Sequence, residues 1–127
     1  MTKLAPLLSV RRGADAVAFY RAAFGAVETF RVEDDDGKIV ATLTIGDAEF
    51  WVADEAPDHA AFSPEGVVGP TARMILTVDD PDATFGRAVA AGATVVWPVA
   101  EQYGWRLGRV VDPFGHHWEI GRPLKQA

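Results

Sequence analysis

The chain of 127 residues contains no cysteine and no apolar stretch long enough to cross a lipid bilayer. The first absence excludes disulfides and thiolate metal ligands. The second absence, together with a start that lacks an apolar segment behind basic residues, predicts a soluble cytoplasmic protein without membrane partners. Basic residues are scarce as well, since 12 Lys and Arg stand against 18 Asp and Glu, with a formal net charge of -6. A negative chain is not attracted to phosphate backbones, so we do not expect a nucleic-acid partner.

Several catalytic motifs are also missing. The chain has no Gly-x-Ser-x-Gly elbow and no phosphate-cradling glycine loop followed by Lys and Ser or Thr. What it does have is a hydrophobic content of 49%. In a chain of this length that content suffices for one packed core and is too little for two ordinary ones, so we expect a single domain over residues 1–127.

The first half of the chain shows a strand, a helix and three further strands. A short β-type run covers residues 7–10, and Val17, Tyr20 and Phe24 then recur at helical spacing before Gly25. Three strand patterns separated by "DDDG" and "IGD" turns follow. This order predicts a βαβββ unit over about residues 4–55.

The second half repeats this order after a connecting loop at 56–70, which mixes Pro, Gly, Asp and Ser. A strand comes first, then a helix with Asp80 as N-cap, then three strands, which predicts a second unit over about 71–122. Five residues of the first half recur 67 positions later: Asp15, Ala16, Ala23, Gly25 and Ala26. The shared order and spacing indicate two copies of one βαβββ unit.

Alternation along the strands separates an apolar face from a mixed one. The apolar face has to be covered by the two helices, the second of which offers Phe85 and Val89. The opposite face contains charges and a large aromatic residue. We therefore expect an α+β fold in which two βαβββ units form a curved mixed sheet, with the helices on the convex side and a concave cleft on the other. The apolar set is Leu8, Val10, Phe50, Val52, Met74, Leu76, Val78, Trp118 and Ile120, and the mixed set includes Glu49, Trp51, Arg73, His117 and Glu119.

Four segments carry a family resemblance: "LLSVRRGADAVAFYRAAFGA", "IGDAEFWVADEAP", "ILTVDDPDATFGRAVAAGA" and "GWRLGRVVDPFGHHWEI". In this order they resemble the vicinal oxygen chelate superfamily, which includes glyoxalase I, bleomycin-resistance proteins and extradiol dioxygenases. The last segment is similar to the GxRxGxxxDPFGHxW signature of glyoxalase-like proteins associated with phosphonate operons. The resemblance implies a homodimer, in which units of different chains can pair. It names no substrate, because isomerases, dioxygenases, thiol transferases and drug-binding proteins share the fold.

The resemblance also implies four metal-ligand positions in the catalytic members, usually filled by His, Gln or Glu. In this chain they fall on Ala5, Trp51, Arg73 and Glu119, and each position of the second unit follows its counterpart by 68 residues. Only Glu119 is able to bind a divalent cation, and Arg73 puts a fixed positive charge where a ligand is expected. We therefore expect no metal cofactor.

His117 and Glu119 leave an enzymatic alternative open. A metal site built on them would need a third ligand such as Glu49 or His59, and it would support a metal-dependent lyase, isomerase or dioxygenase. Without a metal, the two side chains would form an acid–base pair for catalysis. Histidines on strands are more often ordinary cleft residues, so the sequence does not decide whether the protein is an enzyme.

An arginine and the tryptophans favour a binding function. The Arg73 guanidinium suits a carboxylate, phosphate or phenolate of a ligand, or else it pairs with Glu119. Trp51 predicts an aromatic wall of the cleft, whereas Trp97 and Trp105 fit either the pocket or a subunit interface. We therefore expect a small, partly aromatic or anionic ligand. The predicted binding residues are Trp51, Arg73, Trp105, Arg106, His117 and Glu119.

Overall fold

The computed structural model describes residues 3–66 and 72–124, and within these ranges it contains two helices and eight strands. The predicted loop at 56–70 includes two short 3-10 turns, whereas its residues 67–70, and residue 71, lie outside the described ranges. The first unit consists of β1 (Leu7–Val10), α1 (Gly13–Phe24), β2 (Val27–Glu33), β3 (Ile39–Ile45) and β4 (Ala48–Asp54). The turns are Pro57–His59 and Pro64–Gly66. The second unit consists of β5 (Met74–Thr77), α2 (Pro81–Ala91), β6 (Thr94–Gln102), β7 (Trp105–Val111) and β8 (His117–Pro123).

Each unit forms one four-stranded mixed sheet, with the strand orders β1-β4-β3-β2 and β5-β8-β7-β6. The first and last strands of a unit pair in parallel, and the other neighbours are antiparallel. Leu7 pairs with Trp51 in the first sheet, and Ile75 pairs with Glu119 in the second. Because both partners of the second pair follow those of the first by 68 positions, the offset seen in the sequence also holds in the sheet register. The predicted α+β fold of two βαβββ units is confirmed.

The helix ends follow local sequence signals. Helix α1 ends at Gly25, which adopts a left-handed φ of 67° and donates its amide to the carbonyl of Arg21. Helix α2 begins after Asp80, whose carboxylate accepts a hydrogen bond from the amide of Ala83 at 3.2 Å. The predicted N-cap is therefore confirmed. Within the described ranges, neither helix is long and apolar enough to span a membrane.

One aromatic core joins the two units. The Tyr20 ring of α1 lies 5.5 Å from Phe50 of the first sheet and 5.4 Å from Trp118 of the second. Helices α1 and α2 also pack directly against each other. Since strand side chains alternate, the opposite faces of both sheets point away from this core. The prediction for Val89 is wrong, because α2 turns its 81–84–88 face inward and leaves Val89 38% exposed.

The buried carboxylate of Asp112, in the turn between β7 and β8, also links the units. One oxygen accepts hydrogen bonds from the Tyr20 hydroxyl at 2.6 Å and from the Trp118 indole at 2.9 Å. The other oxygen accepts from the amides of Phe114 and His116, both at 2.9 Å. Burial and the negative charge of Asp112 raise the pKa of Tyr20 well above its ordinary value. The "DPFG" segment thus ties helix α1 of the first unit to the second sheet.

Candidate functional site

The outer face of the second sheet, the face that points away from the core, gathers most of the predicted site residues. His117 and Glu119 alternate on β8 with the buried Trp118 and therefore point outward. Directly paired residues of neighbouring strands share a face. The pairing of β5, β8, β7 and β6 therefore places four side chains in one row across this face: Ile75, Glu119, Arg109 and Trp97.

Arg73 and Glu119 form an ion pair on this face. The Nε of Arg73 lies 3.2 Å from Oε2 of Glu119, and the two side chains are 51% and 23% exposed. An ion pair this exposed adds little to the free energy of folding, because water screens it. Its chemical effect is larger, since it occupies the carboxylate of Glu119 and leaves the pair electrically neutral.

Arg109 is a neighbour that the sequence analysis missed. Its Nε donates a hydrogen bond to Nδ1 of His117 at 3.2 Å. Burial, followed by the positive charge of Arg109, lowers the pKa of His117, so its imidazole is held in the neutral form that accepts this bond. Among the described residues Arg109 has no carboxylate within ion-pair distance. Alternation along β7 was a usable signal, because it places residue 109 on the same face as 105 and 107.

A cavity of about 180 Å³ opens beside the ion pair. It is lined by Ile75, Trp105, Leu107, Glu119 and Gly121. A Cβ at position 121 would lie 2.7 Å from Cβ of Leu107 and 2.7 Å from a backbone carbonyl oxygen of β7, so only glycine fits there. The close approach of β7 and β8 therefore requires glycine at position 121, and mostly apolar side chains line the cavity beside it.

A second recess of about 340 Å³ adjoins this cavity. Leu107 and Glu119 line both spaces, and Trp97, Gln102 and Tyr103 complete the second one. The two recesses together form a groove with aromatic side chains along its length. Such a groove fits a flat, mostly apolar ligand that also carries a polar group.

Other predicted residues lie elsewhere. Trp51 is on the outer face of the first sheet, and no hydrogen bond, ion pair or cavity of the described residues joins it to the Arg73 pair. Arg106 points to the helix side of β7, where it donates two hydrogen bonds to Asp82 at 2.7 and 2.8 Å. These bonds lower the pKa of Asp82. The structure thus gathers Arg73, Trp105, His117 and Glu119, without Trp51 and Arg106.

The residues at the implied ligand positions do not fit a divalent metal. Glu119 is engaged by the guanidinium of Arg73, and a second guanidinium holds His117. Glu49 is paired with Lys3 at 2.9 Å, and His59 lines a separate recess of about 500 Å³ on the first unit. Across residues 3–66 and 72–124, no three His, Asp or Glu side chains are grouped so as to hold a metal ion. The positive charge of Arg109, beside a neutral ion pair, would instead repel a cation.

Comparison with known proteins gives matches over nearly the whole chain. Residues 4–120 match the model of the Glyoxalase/Bleomycin resistance protein/Dioxygenase superfamily. An uncharacterized protein of Mycobacterium tuberculosis is 42% identical over an alignment of 129 positions, gaps included. The alignment covers 98% of this chain and 76% of that protein. The match is to the superfamily and does not distinguish the phosphonate-operon branch, which stays a prediction.

Two solved structures have a similar fold. A gene product of Arabidopsis thaliana is 31% identical with a TM-score of 0.76, and the alignment covers 94% of this chain and 97% of that one. The fosfomycin resistance protein FosX of Listeria monocytogenes, solved with Mn(II) and sulfate, has a TM-score of 0.73 over 95% of this chain and 91% of its own. At 14% identity, the likeness to FosX shows the fold alone.

Proposed function

The chain belongs to the Glyoxalase/Bleomycin resistance protein/Dioxygenase superfamily, and we propose that it binds a small, partly aromatic or anionic molecule without a divalent metal. The observation that carries this proposal is the ion pair of Arg73 and Glu119. It engages the one carboxylate available to a metal at the implied positions, and it adjoins a cavity walled by Ile75, Trp105 and Leu107. Apolar walls with a few polar groups are typical of small-molecule sites.

We further propose a homodimer in which a second copy covers this site. Large apolar side chains are exposed on the outer faces of both sheets, and soluble monomers rarely leave such surface open. Within one chain these faces point away from the shared core, so another chain has to cover them. Pairing the first unit of one chain with the second unit of the other would bring Trp51 to the Arg73 pair. The exposed side chains are Leu7, Val27, Phe30, Val32, Ile75 and Trp97.

Native mass spectrometry of the purified protein tests both parts. We expect twice the chain mass, no stoichiometric metal, and the added mass of any small molecule that co-purifies. Zinc, nickel or manganese should leave the melting temperature unchanged, because a ligand that binds only the folded state raises it. Stoichiometric metal, with a stabilisation that Glu119→Ala abolishes, would contradict the binding function, and a monomer at micromolar concentration would contradict the dimer.

A metal-dependent lyase, isomerase or dioxygenase is the second candidate, and the proximity of His117 to Glu119 on one strand favours it. Neutral imidazole and carboxylate both bind divalent cations, and FosX, of similar fold, has been solved with Mn(II). This function requires Arg73 to release Glu119 and Arg109 to release His117. The metal measurements above decide between the two candidates. A metal-free enzyme would instead show turnover that His117→Ala and Glu119→Ala each abolish.

A further inference from the structure

We infer that Arg109, and not Arg73, holds the anionic group of the ligand, and that His117 orients it. This inference rests on the proposed binding function and deepens it by naming a ligand class. The ligand is a planar or forked oxyanion, such as a carboxylate or sulfonate, attached to an aromatic body.

The distribution of charge on the outer face is the first argument. Glu119 is paired with Arg73 at 3.2 Å, so these two charges cancel. Arg109 is half-buried and has no carboxylate within ion-pair distance among the described residues. A partly desolvated cation without a counter-ion is unfavourable, and an anion supplied by a ligand would compensate it. Within the part of the chain that the structure describes, this face therefore has one unmatched positive charge, on a chain whose net charge is -6.

The orientation of Arg109 is the second argument. Its Nε donates to Nδ1 of His117 at 3.2 Å, which fixes the plane of the guanidinium. The terminal nitrogens of a guanidinium form a planar fork that matches two oxygens of a carboxylate or sulfonate. His117 contacts the ligand's anion only through Arg109 and is therefore a positioning residue.

The surroundings of Arg109 are the third argument. It stands between Trp97 and Glu119 in the row of paired residues, and both of these line the second recess. Leu107 is two residues away on β7, hence on the same face, and it lines both recesses. An anion on Arg109 would thus place its aromatic body over Leu107, between Trp97 and Trp105.

A matched pair of fluorescent probes tests this assignment. 1-Anilinonaphthalene-8-sulfonate and N-phenyl-1-naphthylamine share one aromatic skeleton, and only the first has a sulfonate. We expect the wild-type protein to bind the sulfonate more tightly in fluorescence titrations. Arg109→Gln should lower the affinity for the sulfonate probe about tenfold or more, which is the effect of losing a charge-assisted hydrogen bond. The same substitution should change the affinity for the neutral probe by less than about twofold.

One competing variant and one control accompany this test, and thermal melts verify that each variant is folded. The double variant Arg73→Gln/Glu119→Gln lies within the site and tests Arg73 as the competing anchor at unchanged net charge. Because Glu119 lines both recesses, the affinity of both probes should change, whereas the sulfonate should still bind more tightly than the neutral probe. Arg21→Gln, on the exposed side of α1, removes a remote positive charge and should also keep this preference. Loss of the preference in the double variant, with retention in Arg109→Gln, overturns the inference alone. Binding of neither probe to the wild-type protein overturns the proposed function and the inference together.

Discussion

Helix α1 buries Phe19, Tyr20 and Phe24, whereas helix α2, at the same place in the second unit, buries no aromatic side chain. On the outer faces, by contrast, the second unit has more of the candidate site's charged side chains and cavities than the first. The charged side chains of the candidate site, together with its cavity, lie on the second sheet, although both sheets have the same register. Two copies of one unit have therefore specialised. The first supplies most of the packing and the second most of the chemistry.

Two tryptophans of the second unit, one packed on helix α1 and one on the outer face, compare packing with the outer face and have the largest expected effect. Trp118 is 3% exposed and packs on the helix of the first unit, whereas Trp97 is 56% exposed on the outer face. Trp118→Ala should lower the free energy of unfolding by about 3–5 kcal/mol, because it empties a packed core. Trp97→Ala leaves the core of the chain intact and should lower the free energy of unfolding of the monomer by less than about 1 kcal/mol. Urea denaturation measures both, and equal losses would show that the outer face of the second sheet contributes as much to stability as the aromatic core does.

The start of α2 gives a smaller test. Asp80 caps α2, whereas Arg12 at the same place before α1 makes no side-chain cap. Since α2 buries less, its stability depends more on local interactions. Asp80→Ala should lower the free energy of unfolding by about 1 kcal/mol. Asp79→Ala, its exposed neighbour, serves as the control, and a similar loss in both variants would rule out a role for the cap.

The pH dependence of stability gives the smallest effect. The pKa of His117 in the folded state is lowered from its ordinary value, so the unfolded chain takes up a proton first as the pH falls. The free energy of unfolding should therefore decrease as the pH falls below about 6.5, and the loss should level off below the folded-state pKa. His117→Gln should remove this part of the slope in urea titrations between about pH 7 and pH 5. An unchanged slope would mean that His117 is not held neutral.

The fold was predictable because its signals are local. Gly25 and Asp80 mark helix ends through their own backbone and side-chain chemistry, and alternation along the strands placed Trp118 inward. Val89 shows where this reasoning fails. Its apolar side chain fits the helical spacing, but the position of α2 on its sheet depends on tertiary packing that no local pattern encodes.

The candidate site was predictable only in part, because its geometry depends on competition between charges. The positions of Arg73 and Glu119 were implied by the family resemblance, and the 68-residue offset supports them. Which arginine pairs with Glu119, and which one has no carboxylate partner among the described residues, is a property of the folded sheet. Arg106 was selected by its place in a motif, although alternation along β7 puts it with Asp82 on the other face.

The hydrogen bonds of Asp112 limit what a shared motif can say about the function of related proteins. The aspartate of the "DPFGH" motif accepts hydrogen bonds from Tyr20, from Trp118 and from the turn that follows it. Proteins selected by that string would be expected to share the hydrogen bonds that join the two units. The string does not specify a ligand, because its aspartate faces the core, whereas the proposed ligand-binding residues lie on the opposite face of the sheet.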